Sequence, residues 1–315
     1  KPTPTPVGTP WAERAKKVGI MSSFDIAAGF FGCEIAEEDK YKTAFSTQTH
    51  GQYEWNRMAM GLVGSSSTFQ RAMQHILRGL NWRICICYVD DVCTFSTNVQ
   101  EHTNDLALVF ERLVAANISI KFAKCRWGTD KLELLGHLVV AGEGVLPDQG
   151  KVAALAQIQP PSTIAEIKSF LGAAGFFRRF IPGFSAITRP LREIETARLA
   201  KTSPITSLWS QEAQTAFETL RAAMCNAPIL IHPNFAKPMI IVADASKNFI
   251  GAALCQLDEE GVERPIAFMS RQLTAREAKR GISDREGLAI TSAVRHWRAY
   301  IHGSPTICVT DHTSL

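Results

Sequence analysis

The chain has no apolar run long enough to span a bilayer, no Cys-x-x-Cys pair and no histidine pair at His-Glu-x-x-His spacing. These absences argue against a membrane-spanning helix, a zinc ribbon and a zinc protease helix. Charge of neither sign dominates: 34 lysines and arginines against 30 aspartates and glutamates leave +4. An excess this small is compatible with a nucleic-acid partner without establishing one. No internal repeat is visible, which argues against a solenoid. The opening Lys1-Pro2-Thr3-Pro4-Thr5-Pro6 lacks the apolar core of a signal peptide. Of the eight cysteines, Cys85, Cys87 and Cys93 fall in apolar strand-like runs. They read as buried free thiols, which suits a reducing, intracellular setting.

The 315 residues suffice for two or three domains, and 46% hydrophobic residues make an ordinary globular mixture. A Pro/Thr-rich irregular segment is expected first. Strands are predicted over 20–26, 42–45 and 52–55, the last two around the turn-like His50-Gly51. Ser65-Ser66-Ser67 is placed to cap a helix with Phe69, Met73, Ile76, Leu77 and Leu80 at helical spacing. A second helix is predicted with Leu106, Val109, Phe110, Leu113 and Val114 on one face. Strands follow over 118–122 and 132–140. Beyond Pro160-Pro161, Thr163-Ile164-Ala165-Glu166 has the form of a capping box, and another helix carries Phe217, Leu220 and Met224. The texture changes near Asn226-Ala227-Pro228. Strands are then predicted over 239–244, 250–257, 265–269 and 306–309, with a helix over 284–300. Strands and helices without strict alternation predict an α+β fold.

Chemistry is concentrated in Tyr88-Val89-Asp90-Asp91. Two adjacent carboxylates are predicted at the tip of a β-hairpin between Ile84-Cys85-Ile86-Cys87 and Val92-Cys93-Thr94-Phe95. Side-by-side aspartates repel, and a hard divalent cation gives a reason for choosing them. The bland alternative is that aspartate is a good turn residue. Asp25 closes an apolar strand upstream. Pairing that strand with the hairpin would bring Asp25 beside Asp90, a pattern suited to two-metal phosphoryl transfer.

In order along the chain stand Phe24-Asp25, Lys42-Thr43-Ala44-Phe45, Met60-Gly61-Leu62, Thr68-Phe69-Gln70-Arg71, Tyr88-Val89-Asp90-Asp91 and Leu135-Gly136-His137. This series resembles the reverse transcriptase of LTR retrotransposons of the gypsy type. The resemblance implies an antiparallel palm sheet with helices over 20–147, after an irregular segment at 1–19. It further implies a helical thumb and connection over 148–226 and an RNase H-like α/β domain over 227–315. Asp25, Asp90 and Asp91 are then the expected ligands of Mg²⁺, with Mn²⁺ as the alternative ion. Lys124 is the expected proton donor to pyrophosphate, or else a solvated surface lysine. Phe30 would exclude a 2′-hydroxyl, or else simply pack in the core. Gly61 would let backbone approach nucleotide or template, or else serve an ordinary turn. Gln70 and Tyr88 join the expected substrate-binding set. So does Gly136, in a hairpin that would grip the primer end or else be an unremarkable strand. The expected partners are an RNA template, a DNA primer, an RNA–DNA hybrid and dNTPs.

Ala59-Met60 and Gly64-Ser65-Ser66-Ser67 depart from the family pattern. The basic fingers strands that hold the triphosphate are expected to be largely missing. The RNase H-like domain is expected to stop short of its fourth carboxylate.

A second carboxylate set is Asp244, Glu286 and Asp311, at two predicted strand ends and a helix start. Such a set can hold two metal ions for attack of water on a phosphodiester. The plain alternative for Glu286 is a capping box formed by Ser283-Asp284-Arg285-Glu286. Asp244-Ala245-Ser246, Arg264-Pro265-Ile266-Ala267-Phe268, Ser270-Arg271 and Thr310-Asp311-His312 resemble the RNase H domain that follows reverse transcriptase in these elements. Arg178-Arg179, among phenylalanines, reads as a duplex contact or an amphipathic helix packing its rings inward. Two functions are thus expected to compete: an RNA-directed DNA polymerase linked to a ribonuclease H, or an inactive retroelement-derived module that binds nucleic acid or a partner.

Overall fold

A computed structural model describes residues 17–197, 200 and 202–310. The N-terminal segment up to residue 16 and the candidate ligand Asp311 lie outside the described residues. Two compact units divide between Leu134 and Leu135.

The first unit is built on a four-stranded sheet. Its chain order is β1 (Ile20–Asp25), β2 (Phe45–Thr47), β3 (Gly51–Tyr53), α1 (Ser65–Ile76), β4 (Cys85–Tyr88), β5 (Asp91–Ser96), α2 (Val99–Ala115), β6 (Arg126–Thr129) and β7 (Lys131–Leu134). Strand order in the sheet is β4-β5-β1-β6, while β2 and β3 pair as a separate hairpin. Ser22 and Phe24 are buried on one face of β1 and Met21 on the other. Helices α1 and α2 lay Phe69, Met73, Val109 and Leu113 into the same core as Phe24, Cys85 and Val92.

Several local expectations shift. Gly64, not a serine, is the N-cap of α1, and Ser65 instead donates to the Ala59 carbonyl (3.0 Å). Val114 is 76% exposed, so the apolar stripe of α2 is narrower than its sequence suggests. The stretch 118–122 forms no strand: only Ile120 bridges to Ile26, because a 3₁₀ turn at Phe122–Lys124 ends the pairing. The run 132–140 breaks at Leu135 and Gly136, both with positive φ (50° and 76°).

A buried polar chain ties this sheet to α2. Gly128 N–H donates to Ser22 Oγ (3.0 Å), Ser22 Oγ meets His102 Nε2 (2.7 Å), His102 Nδ1 meets Ser96 Oγ (3.0 Å), and Ser96 Oγ donates to Asp105 Oδ2 (2.7 Å). Because the Ser96 hydrogen is committed to Asp105, His102 Nδ1 must carry the proton it gives to Ser96. Nε2 is then free to accept from Ser22. The imidazole is therefore neutral with one tautomer, and burial correspondingly lowers its pKa, against Asp105, which raises it.

The second unit holds β8 (His137–Val140), β9 (Gly144–Pro147), α3 (Gln149–Ala156), α4 (Ile164–Phe176), α5 (Phe184–Ile187), α6 (Arg189–Glu195), α7 (Gln211–Cys225) and β10 (Leu230–Ile231). It continues with β11 (Met239–Ala245), β12 (Phe249–Leu257), β13 (Glu263–Gln272), α8 (Ile282–His296), α9 (Arg298–Ile301) and β14 (Thr306–Val309). Thr163 caps α4 by accepting from Glu166 N–H (3.3 Å), and the Glu166 carboxylate reaches back to Ser162 N–H (2.8 Å). The reciprocal half of the capping box is thus displaced by one residue. Phe170, Phe177, Phe180 and Phe217 fill the helical core, which places the Phe177–Phe180 pair inside rather than on a nucleic-acid face. The last sheet has order β13-β12-β11-β14, with β14 parallel to β11 and the other pairs antiparallel. Ser185 N–H and Oγ donate to Ser270 Oγ and O (both 2.8 Å), fastening α5 to β13 across the sequence boundary at 226/227.

Replacing Ser96 by alanine removes the acceptor of His102 and a donor to Asp105 at once. The expected loss is about 2 kcal/mol in urea unfolding of the chain. An unchanged midpoint would show that the polar chain does not hold the sheet.

Candidate active sites

The pairing of β1 with β5 decides the first site. Antiparallel register sets Asp25 across from Asp91, and Ile26 N–H donates to the Asp90 carbonyl (2.9 Å). The hairpin closes with Tyr88 opposite Asp91 and Val89 in the left-handed region at φ 53°. A β-branched residue there is strained, at a cost of order 1–3 kcal/mol. Gln70 on α1 holds the turn: its Oε1 accepts from Val89 N–H (2.6 Å) and its Nε2 donates to the Cys87 carbonyl (3.1 Å). Gln70, expected to bind substrate, thus uses both ends of its amide to fix the aspartate pair. Gly29 approaches from the other side. A Cβ there would lie 2.5 Å from Phe69 Cζ and 3.0 Å from Asp90 Oδ1. Half-buried Phe30 stands edge-on to Phe69, with centroids 5.6 Å apart.

Burial first, and then the Asp25 and Asp91 carboxylates, raise the Asp90 carboxyl above its ordinary value, opposed by Lys121. Burial and Asp25 likewise raise Asp91, opposed by Lys124. Cys87, beside the pair, is pushed up to about 12, first by burial and then by Asp90 and Asp91, so it is an inert thiol. All eight cysteines are free.

The donor chemistry fits a hard cation. Asp25 Oδ1 and Asp90 Oδ1 are buried and accept no hydrogen bond. Asp25 is countered by Lys121 (3.4 Å to Oδ1) and Lys124 (3.5 Å to Oδ2). Among the described residues no three acidic, histidine or cysteine side chains converge into a closed metal cage. The three aspartates are neighbours that a cation would have to draw together.

Of the other expected residues, Tyr88 is half exposed and Gly61 sits in an open turn at φ 90°. Gly136 belongs to the second unit. At φ 76° it lies so close to Lys151 and Phe176 that a Cβ would meet Lys151 Nζ at 2.3 Å. Its neighbour His137 stacks on Phe176 with centroids 4.8 Å apart.

Two carboxylates of the second set, Asp244 and Glu286, lie among the described residues. Asp244 lies on β11, opposite Gly251. Glu286 is 3% exposed, and its Oε1 accepts from Ala245 N–H (3.1 Å) while its Oε2 accepts from Thr310 Oγ1 (3.4 Å). The N-cap of α8 is Gly281, so Glu286 reaches the neighbouring strand rather than only its own helix end. Glu286 and Asp244 are thereby brought to one end of the sheet.

Sequence reasoning missed Lys121, Gly29 and the Ser22–His102 chain. A signal existed for the first: Lys121 and Lys124 are three apart, the repeat of a 3₁₀ turn. Crowding of the carboxylates yields a prediction for the metal-free chain. A carboxyl raised in the fold destabilises once ionised, so the penalty is present at neutral pH and fades as pH falls through the raised value toward the ordinary carboxylate value of 3.8. Asp90→Asn should therefore stabilise the EDTA-treated chain at pH 7, by no more than about 1 kcal/mol since the group is partly solvated. The gain should shrink at pH 4; a loss of stability at pH 7 would contradict the electrostatic account.

Comparison with known proteins agrees with this geometry. Residues 4–139 match the family described as reverse transcriptase (RNA-dependent DNA polymerase), and residues 209–308 the RNase H-like domain found in reverse transcriptase. The chain is 37% identical over 299 residues to the retrovirus-related Pol polyprotein from transposon 297 of Drosophila melanogaster, covering 95% of this chain and 27% of that protein. Identity is 35% to the Pol polyprotein from transposon gypsy of the same fly, covering 95% and 29%. The chain thus spans less than a third of the length of these relatives. Among solved structures, the foamy viral protease-reverse transcriptase in complex with RNA/DNA hybrid superposes with a TM-score of 0.82 at 22% identity, covering 99% of this chain and 41% of that one. The same viral protein in complex with dsDNA gives 0.81 at 24%, covering 93% and 60%. These likenesses support an α+β reverse-transcriptase fold. With both domain matches in sequence order, the chain belongs to the reverse transcriptases of gypsy-type retrotransposon Pol polyproteins.

Proposed function

We propose that the chain is the catalytic segment of an RNA-directed DNA polymerase linked to a ribonuclease H, acting on an RNA template, a DNA primer, dNTPs and the resulting RNA–DNA hybrid. The observation that carries it is the β1–β5 register, which gathers Asp25, Asp90 and Asp91 with two oxygens buried and unbonded. Asp25, Asp90 and Asp91 would hold Mg²⁺, or Mn²⁺ in its place. When bound, the ions would lower the pKa of the primer 3′-hydroxyl and neutralise charge on the departing pyrophosphate. Gln70 and Gly29 keep the aspartate pair in place, and Phe30 offers a ring where a ribose 2′-hydroxyl would be refused. Lys124, which faces Asp25, is the proposed proton donor to pyrophosphate. In the RNase H-like domain, Asp244, Glu286 and Asp311 are the proposed ligand set. Residues 20–147, 148–226 and 227–315 serve as palm, thumb with connection, and RNase H-like domain. The proposed setting is intracellular, a cytoplasmic element particle, the nucleus or both.

The test is primer extension on an RNA template with Mg²⁺, using the chain alone and the chain with its flanking polyprotein sequence. Extension by either form, abolished by Asp90→Asn by more than about a thousandfold, is expected. Glu286→Gln should leave extension intact and remove cleavage of the RNA strand in a hybrid. Binding of primer–template without extension by both forms would instead identify an inactive nucleic-acid-binding module.

A further inference from the structure

Each oxygen of Asp25 faces a lysine ammonium, Oδ1 toward Lys121 and Oδ2 toward Lys124. At 3.4 and 3.5 Å these pairs are longer than charge-assisted hydrogen bonds of about 2.7–2.9 Å. The Lys121 and Lys124 side chains are 48% and 63% exposed. The ammonium groups are therefore loosely held counter-charges. Their backbone is firmly held. Lys121 N–H donates to the Asp25 carbonyl (2.9 Å), Lys124 N–H donates to the Lys121 carbonyl (2.9 Å), and Ile120 bridges to Ile26. Cys125 Sγ adds a bond to the Lys121 carbonyl (3.3 Å). A fixed turn thus presents two movable cations to a single carboxylate.

The charge count explains the arrangement. Asp25, Asp90 and Asp91 with two lysines sum to −1, a nearly balanced cluster. A divalent ion added with both lysines in place would make it positive. Ion and ammonium compete for the same oxygen, and Lys121 Nζ faces the Asp25 oxygen that is buried and accepts no hydrogen bond.

We propose that Lys121 is a built-in counter-cation of the polymerase site, holding Asp25 Oδ1 until a divalent ion displaces it. The idea rests on the assignment of Asp25 as a metal ligand. Lys121 is then a positioning residue: it keeps the carboxylates together in the metal-free protein and sets the affinity with which the site fills. Its half-exposed side chain can be altered with little effect on the core.

The test is titration of the full chain with Mn²⁺, following the free ion by electron paramagnetic resonance. Lys121→Gln removes the competing charge and should tighten Mn²⁺ binding about three- to tenfold, the range left after solvent screening of a part-exposed pair. Lys121→Arg keeps the charge and should stay close to wild type. Asp25→Asn should weaken binding. Unchanged or weaker binding in Lys121→Gln, with Asp25→Asn impaired, would overturn the counter-cation role alone. Asp25→Asn binding Mn²⁺ as tightly as wild type would overturn the metal-site assignment and this proposal with it.

Discussion

The antiparallel pairing of β1 with β5 is the constraint on which the first site depends. It sets Asp25 opposite Asp91 and leaves Asp90 in the turn between them. A slip of one residue would exchange the two faces of β1, burying what now faces solvent and turning Phe24 out of the core. Register here is fixed by two kinds of contact on one face. On the face packed by α2, Phe24 enters the core with Phe69 and Val109, and Ser22, two residues away, enters the polar chain through His102 to Ser96. The hydrophobic contacts supply most of the stability, and the polar chain admits one alignment of donors and acceptors. A buried polar network that is satisfied in only one arrangement specifies a unique fold more sharply than apolar packing alone.

Much of this was legible in the residues. The apolar run ending at Asp25 and the two apolar runs flanking Asp90-Asp91 declare a sheet with carboxylates at one end. What pairing alone could not supply was the offset: the expectation was Asp25 beside Asp90, whereas the ladder partner is Asp91. The hairpin turn takes up Val89 and Asp90, so the first aspartate is in the loop and the second is in the strand. The stretch 118–122 misled because its alternating apolar residues fit a strand pattern. Its fate was set by the following 3₁₀ turn, which carries Lys121 and Lys124 to Asp25. Glu286 was ambiguous for a related reason. A glutamate three residues after a serine satisfies a local rule, and only tertiary structure shows its carboxylate on Ala245.

The two acidic sites are built on opposite electrostatic plans. In the first unit three carboxylates crowd together, Asp90 and Asp91 are raised, and lysines offset the charge. In the second, Glu286 is deeply buried and steadied by a backbone N–H and a hydroxyl, while Asp244 remains exposed. One site is held by charge balance and responds to whichever cation is nearest. The other is held by hydrogen bonds and keeps its geometry with less regard to charge. The helical core of the second unit is apolar and rich in phenylalanine, and the Ser185–Ser270 bonds tie it to the last sheet.

The grip of Gln70 on the hairpin has an evolutionary corollary. The turn that presents the aspartates contains no glycine and holds a valine in an unfavourable conformation, so its shape is borrowed from a helix seventeen to nineteen residues upstream. Tolerance to sequence drift should therefore be distributed unevenly and against intuition. Position 89, at the tip of the hairpin, can exchange its side chain for others that pack at the edge of the core, because the bond to Gln70 is made by its backbone. Position 70, embedded in an ordinary-looking helix, cannot, because no other residue type offers an amide donor and acceptor at that length.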